Sequence, residues 1–137
     1  MIATHGILAE GFQNTLEILG VSQEHIIVMN FYCQDSHEEA EITELFASLS
    51  SEDQMIVFTD IQYGSVNQMF VKAAIRFREK NIEVLSGINL PLILEIAMSK
   101  GHLSKQELAE SVVKASKEMV LMDLEAFHST TVEEDIF

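Results

Sequence analysis

Basic side chains are scarce in this sequence. Eight Lys and Arg stand against 22 Asp and Glu in 137 residues, a formal charge of −14. Nucleic-acid binding depends on Lys and Arg neutralising phosphates, so the balance argues against it, and against docking on anionic lipid. The acids favour solubility and would steer a basic protein partner toward the surface. Most of them read as a solvated face. Cysteine is nearly absent. Cys33 stands alone, so no disulfide can close within the chain, and a single thiol fits a reducing cytoplasm. Long hydrophobic runs are missing as well. The longest, Ile88 to Met98, is broken by Asn89, Pro91 and Glu95 and is too short to span a bilayer. No basic, apolar, cleavable segment opens the chain, and no signal peptide is expected. Internal repeats, low-complexity stretches and an interdomain linker are absent too.

What is present is an apolar fraction of 47%, enough for a core of its own, and the length of one compact domain. One domain over residues 1–137 is expected. Ile2-Ala3-Thr4 reads as a very short strand, followed from Gly6 to Leu19 by a helix with the stripe Leu8, Phe12, Leu16 and Leu19, closed by Gly20. His25 to Phe31 reads as a buried strand. Ser36-His37-Glu38-Glu39 has the spacing of a capping box, which predicts a helix to about Ser50 buried through Ile42, Leu45, Phe46 and Leu49. Gln54 to Asp60 is the next strand. Met69, Phe70, Ala73, Ala74 and Phe77 mark a third helix, and Ile82 to Leu85 a fourth strand. Asn89-Leu90-Pro91 opens a helix that Gly101 ends, with Pro91 in the first turn where its missing N–H matters least. Ser104-Lys105-Gln106-Glu107 is a second capping box, opening a helix to about Glu118. Met119 to Leu124 reads as a last strand and Val132 to Asp135 as a frayed end. Strand and helix alternate, which predicts an α/β fold: a doubly wound, four-stranded parallel sheet with helices on both faces.

Ligands of such sheets bind at the carboxyl ends of the strands, where strand order reverses. Three loops fall on that rim: Thr4-His5-Gly6, Asp60 to Gln68, and Ser86 to Pro91. If the first and third strands are neighbours, His5 and Asp60 face each other. A carboxylate beside an imidazole fixes the tautomer, leaves the other nitrogen free as a nucleophile, and stabilises a positively charged ring. Gly6 and Gly64 allow close backbone approach, Ser65 adds a hydroxyl donor, and two helix N-termini would aim N–H groups at an anion. The combination suits a phosphoryl group carried on histidine. No second His or Cys falls at zinc-like spacing near His5, so no metal is expected. The loop after the first strand has no Gly-x-Gly-x-x-Gly run, no P-loop lysine and no acidic pair, which argues against nucleotide binders and response-regulator receivers.

"IATHGILAEG", "VFTDIQYGSVNQ" and "VLSGINLPLILE", in that order, resemble the signature segments of the enzyme IIA component of the mannose/fructose/sorbose family. That family belongs to the bacterial phosphoenolpyruvate-dependent sugar phosphotransferase system. The resemblance implies a cytoplasmic phosphotransferase component, a phosphohistidine carrier that needs no cofactor. His5 matches the phosphorylated histidine, Asp60 the aspartate that orients it, and Ser65 the serine of a Gly-Gly-Ser loop. The donor would be the phosphocarrier protein HPr and the acceptor a IIB domain, which serves a IIC/IID membrane permease. A homodimer is implied, with one antiparallel C-terminal strand exchanged across it, which would occupy Met119 to Leu124. A regulatory module read by its phosphorylation state, and the donor subunit of a dihydroxyacetone kinase system, are the rival expectations. This chain departs from the family at Tyr63, where a glycine is usual, at Val66, where proline is common, and in its short first strand.

Overall fold

The computed structural model describes residues 1–129. The elements run β1 (Ile2–His5), α1 (Leu8–Ile18), β2 (Val28–Phe31), α2 (Glu39–Ser48), β3 (Gln54–Thr59), α3 (Ser65–Arg76), β4 (Asn81–Ser86), α4 (Leu90–Met98), α5 (Lys105–Ser116) and α6 (Leu124–Ser129). Four parallel strands lie in the order β2-β1-β3-β4. The chain leaves β1 toward β2 and returns to the other side of β1 as β3, so order reverses between β1 and β3. The register Ile2–Phe58 and Ala3–Thr59 brings the carboxyl ends of those two strands side by side.

Alternate residues of each strand face opposite sides, and each side has its own helices. Ala3, Met29, Phe31, Met55 and Val57 pack with Ile42 and Phe46 of α2 and Val66, Phe70 and Ala73 of α3. Ile2 and Phe58 pack with Ala9 and Leu16 of α1, Leu92, Ile93 and Ile96 of α4, and Leu108 and Ala115 of α5. This is the predicted doubly wound sheet. No helix among the described residues is long and apolar enough to cross a membrane.

Local differences from the sequence expectations have physical causes. The buried stripe of α1 is Ala9, Phe12 and Leu16, while Leu8 and Leu19 are exposed. Thr4 Oγ1 accepts the Ala9 N–H at 2.7 Å and so turns Ala9, not Leu8, toward the sheet. β2 starts three residues later than His25, because Gln23 O and the Ile26 N–H close a turn there. The capping box of α2 is Glu38 with Glu41 rather than Ser36 with Glu39. Ser36 Oγ instead accepts the Tyr32 N–H at 3.0 Å, and His37 Nδ1 accepts the Asn30 N–H at 3.0 Å, so this stretch is tied to the end of β2 before the helix begins. The second box forms as predicted, Ser104 Oγ accepting from the Glu107 N–H and Glu107 Oε2 from the Ser104 N–H.

The expected last strand is not present in the single chain. Residues 119–123 have no regular structure, and Asp123 Oδ1 accepts the N–H groups of Glu125 and Ala126, which starts α6 instead. A strand needs an edge to pair with, and among the described residues this segment pairs with none. Val132 to Asp135 lie outside the described residues.

Candidate active site

β1 ends at His5 and β3 just before Asp60, so the fold delivers an imidazole and a carboxylate to the same crevice. The two are locked at three points. Asp60 Oδ2 accepts the backbone N–H of His5 at 2.9 Å and lies 3.0 Å from His5 Nδ1; Asp60 Oδ1 is 3.2 Å from the same nitrogen. Asp60 Oδ1 also accepts the Ile61 N–H at 3.0 Å. An ionised carboxylate can only accept, so the proton sits on Nδ1 and Nε2 carries the lone pair. Ser65 Oγ stands 3.1 Å from Nε2 and donates to it. The His5 side chain is 35% exposed and that of Asp60 10%, so the base is open to a partner while its orienting acid is covered. Burial of Asp60 is the strongest single influence on its acidity and opposes ionisation. The His5 backbone N–H, ring and charge together outweigh it and hold the carboxyl below its ordinary range.

The loop after Asp60 brings the N-terminus of α3 against His5. Gly64 is its N-cap, and no side chain closes the N–H groups of the first turn. A Cβ at Gly64 would lie 3.2 Å from Ile61 O and 3.3 Å from Ile61 Cβ, tighter than ordinary contact, and would just touch His5 Cε1 at 3.4 Å, so a larger residue would crowd the loop that holds the helix start against the imidazole. Two buried polar groups hold this loop. Asn67 Oδ1 accepts the Tyr63 N–H at 3.1 Å, and its Nδ2 donates to Thr59 Oγ1 at 2.9 Å. Thr59 Oγ1 donates onward to Leu85 O at 2.8 Å. Strand, loop and helix are thereby fastened to β4. Tyr63 sits at φ 62°, in the left-handed region that favours glycine, and its side chain is 76% exposed.

The structure brings four of the predicted residues into one cluster: His5, Asp60, Gly64 and Ser65. Gly6 lies next to them, but its N–H donates to Phe31 O at 2.7 Å, and that of Gly64 to Ile61 O at 3.0 Å. Neither glycine N–H is an open donor. Gly6 contributes its φ of 59°, which turns the chain from β1 into α1. The third predicted loop has a structural use. Asn89 Oδ1 accepts the Leu92 N–H, capping α4, and its Nδ2 donates to Ala115 O of α5. Among the described residues no three His, Cys, Asp or Glu side chains converge as a metal site would require.

Sequence reasoning missed Thr4, Thr59, Asn67 and Tyr32. The two threonines had a signal: each directly precedes one member of the reactive pair, as Thr4-His5 and Thr59-Asp60. Tyr32 had none, yet its ring stacks on His5 with centroids 5.4 Å apart and planes inclined by 19°.

With the geometry in place, relatedness decides the family. The family model of the PTS system fructose IIA component (EIIA-man) matches residues 1–113. The chain belongs to that family. It is similar to a Klebsiella pneumoniae protein provisionally named a phosphoenolpyruvate-dependent sugar phosphotransferase system permease. The two are 31% identical over 88% of this chain and 87% of that one, with a TM-score of 0.71. It is similar to the PTS IIA protein associated with the fucose utilization operon of Streptococcus pneumoniae, 25% identical over 93% of both chains, with a TM-score of 0.65. The mannose/sorbose-specific IIA subunit of Enterococcus faecalis shares the fold, at 17% identity over 90% of this chain and 92% of that one and a TM-score of 0.72. As a IIA-family chain this is a phosphotransferase component with a phosphocarrier role in sugar uptake.

Proposed function

We propose that the chain takes a phosphoryl group from phospho-HPr onto Nε2 of His5 and passes it to a IIB domain, for uptake of sugar through a IIC/IID permease. The observation that carries this is the two-sided hold on one imidazole. Asp60 fixes the proton on Nδ1, and Nε2 keeps its lone pair beside the uncapped start of α3, held only by the Ser65 hydroxyl, which must turn from Nε2 to the incoming phosphoryl oxygens. Nε2 attacks phosphorus in line, the donor's P–N bond breaks, and the electron pair returns to the donor's ring. Asp60 sits on the far side of the imidazole, where it steadies the charged ring without repelling the phosphoryl group. Ser65 Oγ and the first N–H groups of α3 face the transferring oxygens, so catalysis is by position and electrostatics. Gly64 keeps that helix end close enough to act, and Gly6 sets the turn that presents His5.

The same reading makes residues 1–137 a single IIA domain, working in the cytoplasm beside HPr. It also makes the chain a homodimer. β4 is an edge strand, and the segment that forms no strand alone is apolar and bare: Met119 is 83% and Leu121 100% exposed. Pairing of Met119 to Leu124 with the edge of a second copy would cover both.

The test is intact-mass spectrometry after mixing the protein with phosphoenolpyruvate, enzyme I and HPr, beside a His5→Ala variant. One acid-labile phosphoryl adduct on the parent and none on the variant is the expected result. An adduct that survives in His5→Ala would refute the assignment. A parent that is phosphorylated but serves no IIB domain would be a regulatory module instead.

A further inference from the structure

Tyr32 stacks on His5, and the transfer chemistry gives it no task. The residue is 65% exposed, so burial does not place it there. Its backbone does, at a φ of 57° that a residue with a Cβ rarely adopts, and Asp35 three residues on has φ 43°. The loop is laced into this shape. Ser36 Oγ accepts the Tyr32 N–H at 3.0 Å, and Asn30 O accepts the His37 N–H at 2.7 Å. Backbone strain of this kind persists only where its surroundings over-determine it, and it collects at functional sites. Here the strained residue delivers an aromatic face to the imidazole, nearly parallel to it and at ordinary stacking distance.

We propose that Tyr32 is a positioning residue for the phosphohistidine: its face holds the His5 ring where Asp60 and Ser65 need it and offsets the charge the ring gains on phosphorylation. The inference rests on the phosphocarrier reading above. When the Nε2 lone pair becomes the new P–N bond, the donor's P–N bond breaks and its ring recovers the pair. Nδ1 keeps its proton against Asp60. His5 is then a cationic ring bearing the phosphoryl group. The face of an aromatic ring attracts a cation, so Tyr32 is matched to the loaded state more than to the empty one. Asp60 meets the charge at the ring edge and Tyr32 at the ring face.

The experiment equilibrates the full chain with HPr and phospho-HPr and reads the phosphoryl partition by intact mass, for the parent and for Tyr32→Phe, Tyr32→Leu and Tyr32→Ala. Tyr32→Phe should match the parent. Tyr32→Leu and Tyr32→Ala should shift the partition toward phospho-HPr by roughly two- to fivefold, the range of an exposed cation–aromatic contact. Proton NMR of the unloaded chains should show the ring-current displacement of the His5 resonances in the parent and Tyr32→Phe only. A Tyr32→Leu chain with the parental partition, or a Tyr32→Phe chain that falls with Tyr32→Ala, overturns the proposal while the carrier reading stands. A parent that takes up no phosphoryl group, with the ring-current displacement present, overturns the carrier reading and the proposal with it.

Discussion

Two helices begin on the same rim beside His5, and they begin differently. At the start of α1 the Ala9 N–H is taken by the buried Thr4 hydroxyl, and Glu10 stands in the first turn. At the start of α3 the cap is Gly64, no side chain closes the first N–H groups, and the first turn holds no acid. A helix N-terminus attracts anions, and a carboxylate in its first turn competes with them. One helix start is thus an anchor and the other a cradle. On the proposed mechanism the transferring oxygens go to α3 alone, where the sequence expectation had both helices serving.

The largest effect should come from the group that aims His5 at the cradle. Asp60→Ala should slow phosphoryl uptake from phospho-HPr by about a hundredfold in quench-flow, with an unchanged circular dichroism spectrum. Its carboxyl is held below the ordinary 3.8 in the fold, so on acidification the unfolded chain takes up this proton first. The stability from Asp60 is therefore complete above that value and lost as pH falls through the folded one. Urea midpoints followed from about pH 5 down to about pH 3 should drop less in Asp60→Asn than in the parent.

Next in size is the cradle itself. Gly64→Ala should cost roughly tenfold in transfer rate, because the new methyl crowds Ile61 O and Ile61 Cβ and the helix start must shift to relieve it. A parental rate in this variant would mean that α3 is no closer to the chemistry than α1. The anchor should behave in the opposite way. Thr4→Val leaves the Ala9 N–H buried without an acceptor, which should lower stability in urea unfolding by about 1–3 kcal/mol while the transfer rate stays parental. A rate that falls with Thr4→Val would erase the distinction between the two helix starts. The smallest effect is expected at Tyr63, where Tyr63→Gly relieves a left-handed tyrosine and should raise stability by about 1 kcal/mol.

The reactive pair was legible because it is periodic. Apolar strands and helices alternate, order reverses at β1 and β3, and the residues that follow those strands must meet. His5, Asp60 and Ser65 follow from that logic. Asn67 and Thr59 escaped it because their work is a hydrogen bond across three elements, which no local spacing announces. Tyr32 escaped because a tyrosine held at positive φ by a neighbouring serine leaves no pattern in the sequence. The Ser36 box failed for a related reason, since the same serine was engaged in that loop before α2 began. Met119 to Leu124 looks like a strand by composition, but a strand is a property of a pair of segments, and within the described residues this one is not paired with either sheet edge.

On the proposed mechanism one nitrogen of one histidine accepts the phosphoryl group, on the side away from Asp60. The measurement that tests it most directly is long-range proton–nitrogen NMR of the ring of His5 in the chain loaded from phospho-HPr. Phosphorus bonded to Nε2 and a proton retained on Nδ1 are the expected result. Phosphorus on Nδ1, or on any of the other histidines, would contradict it.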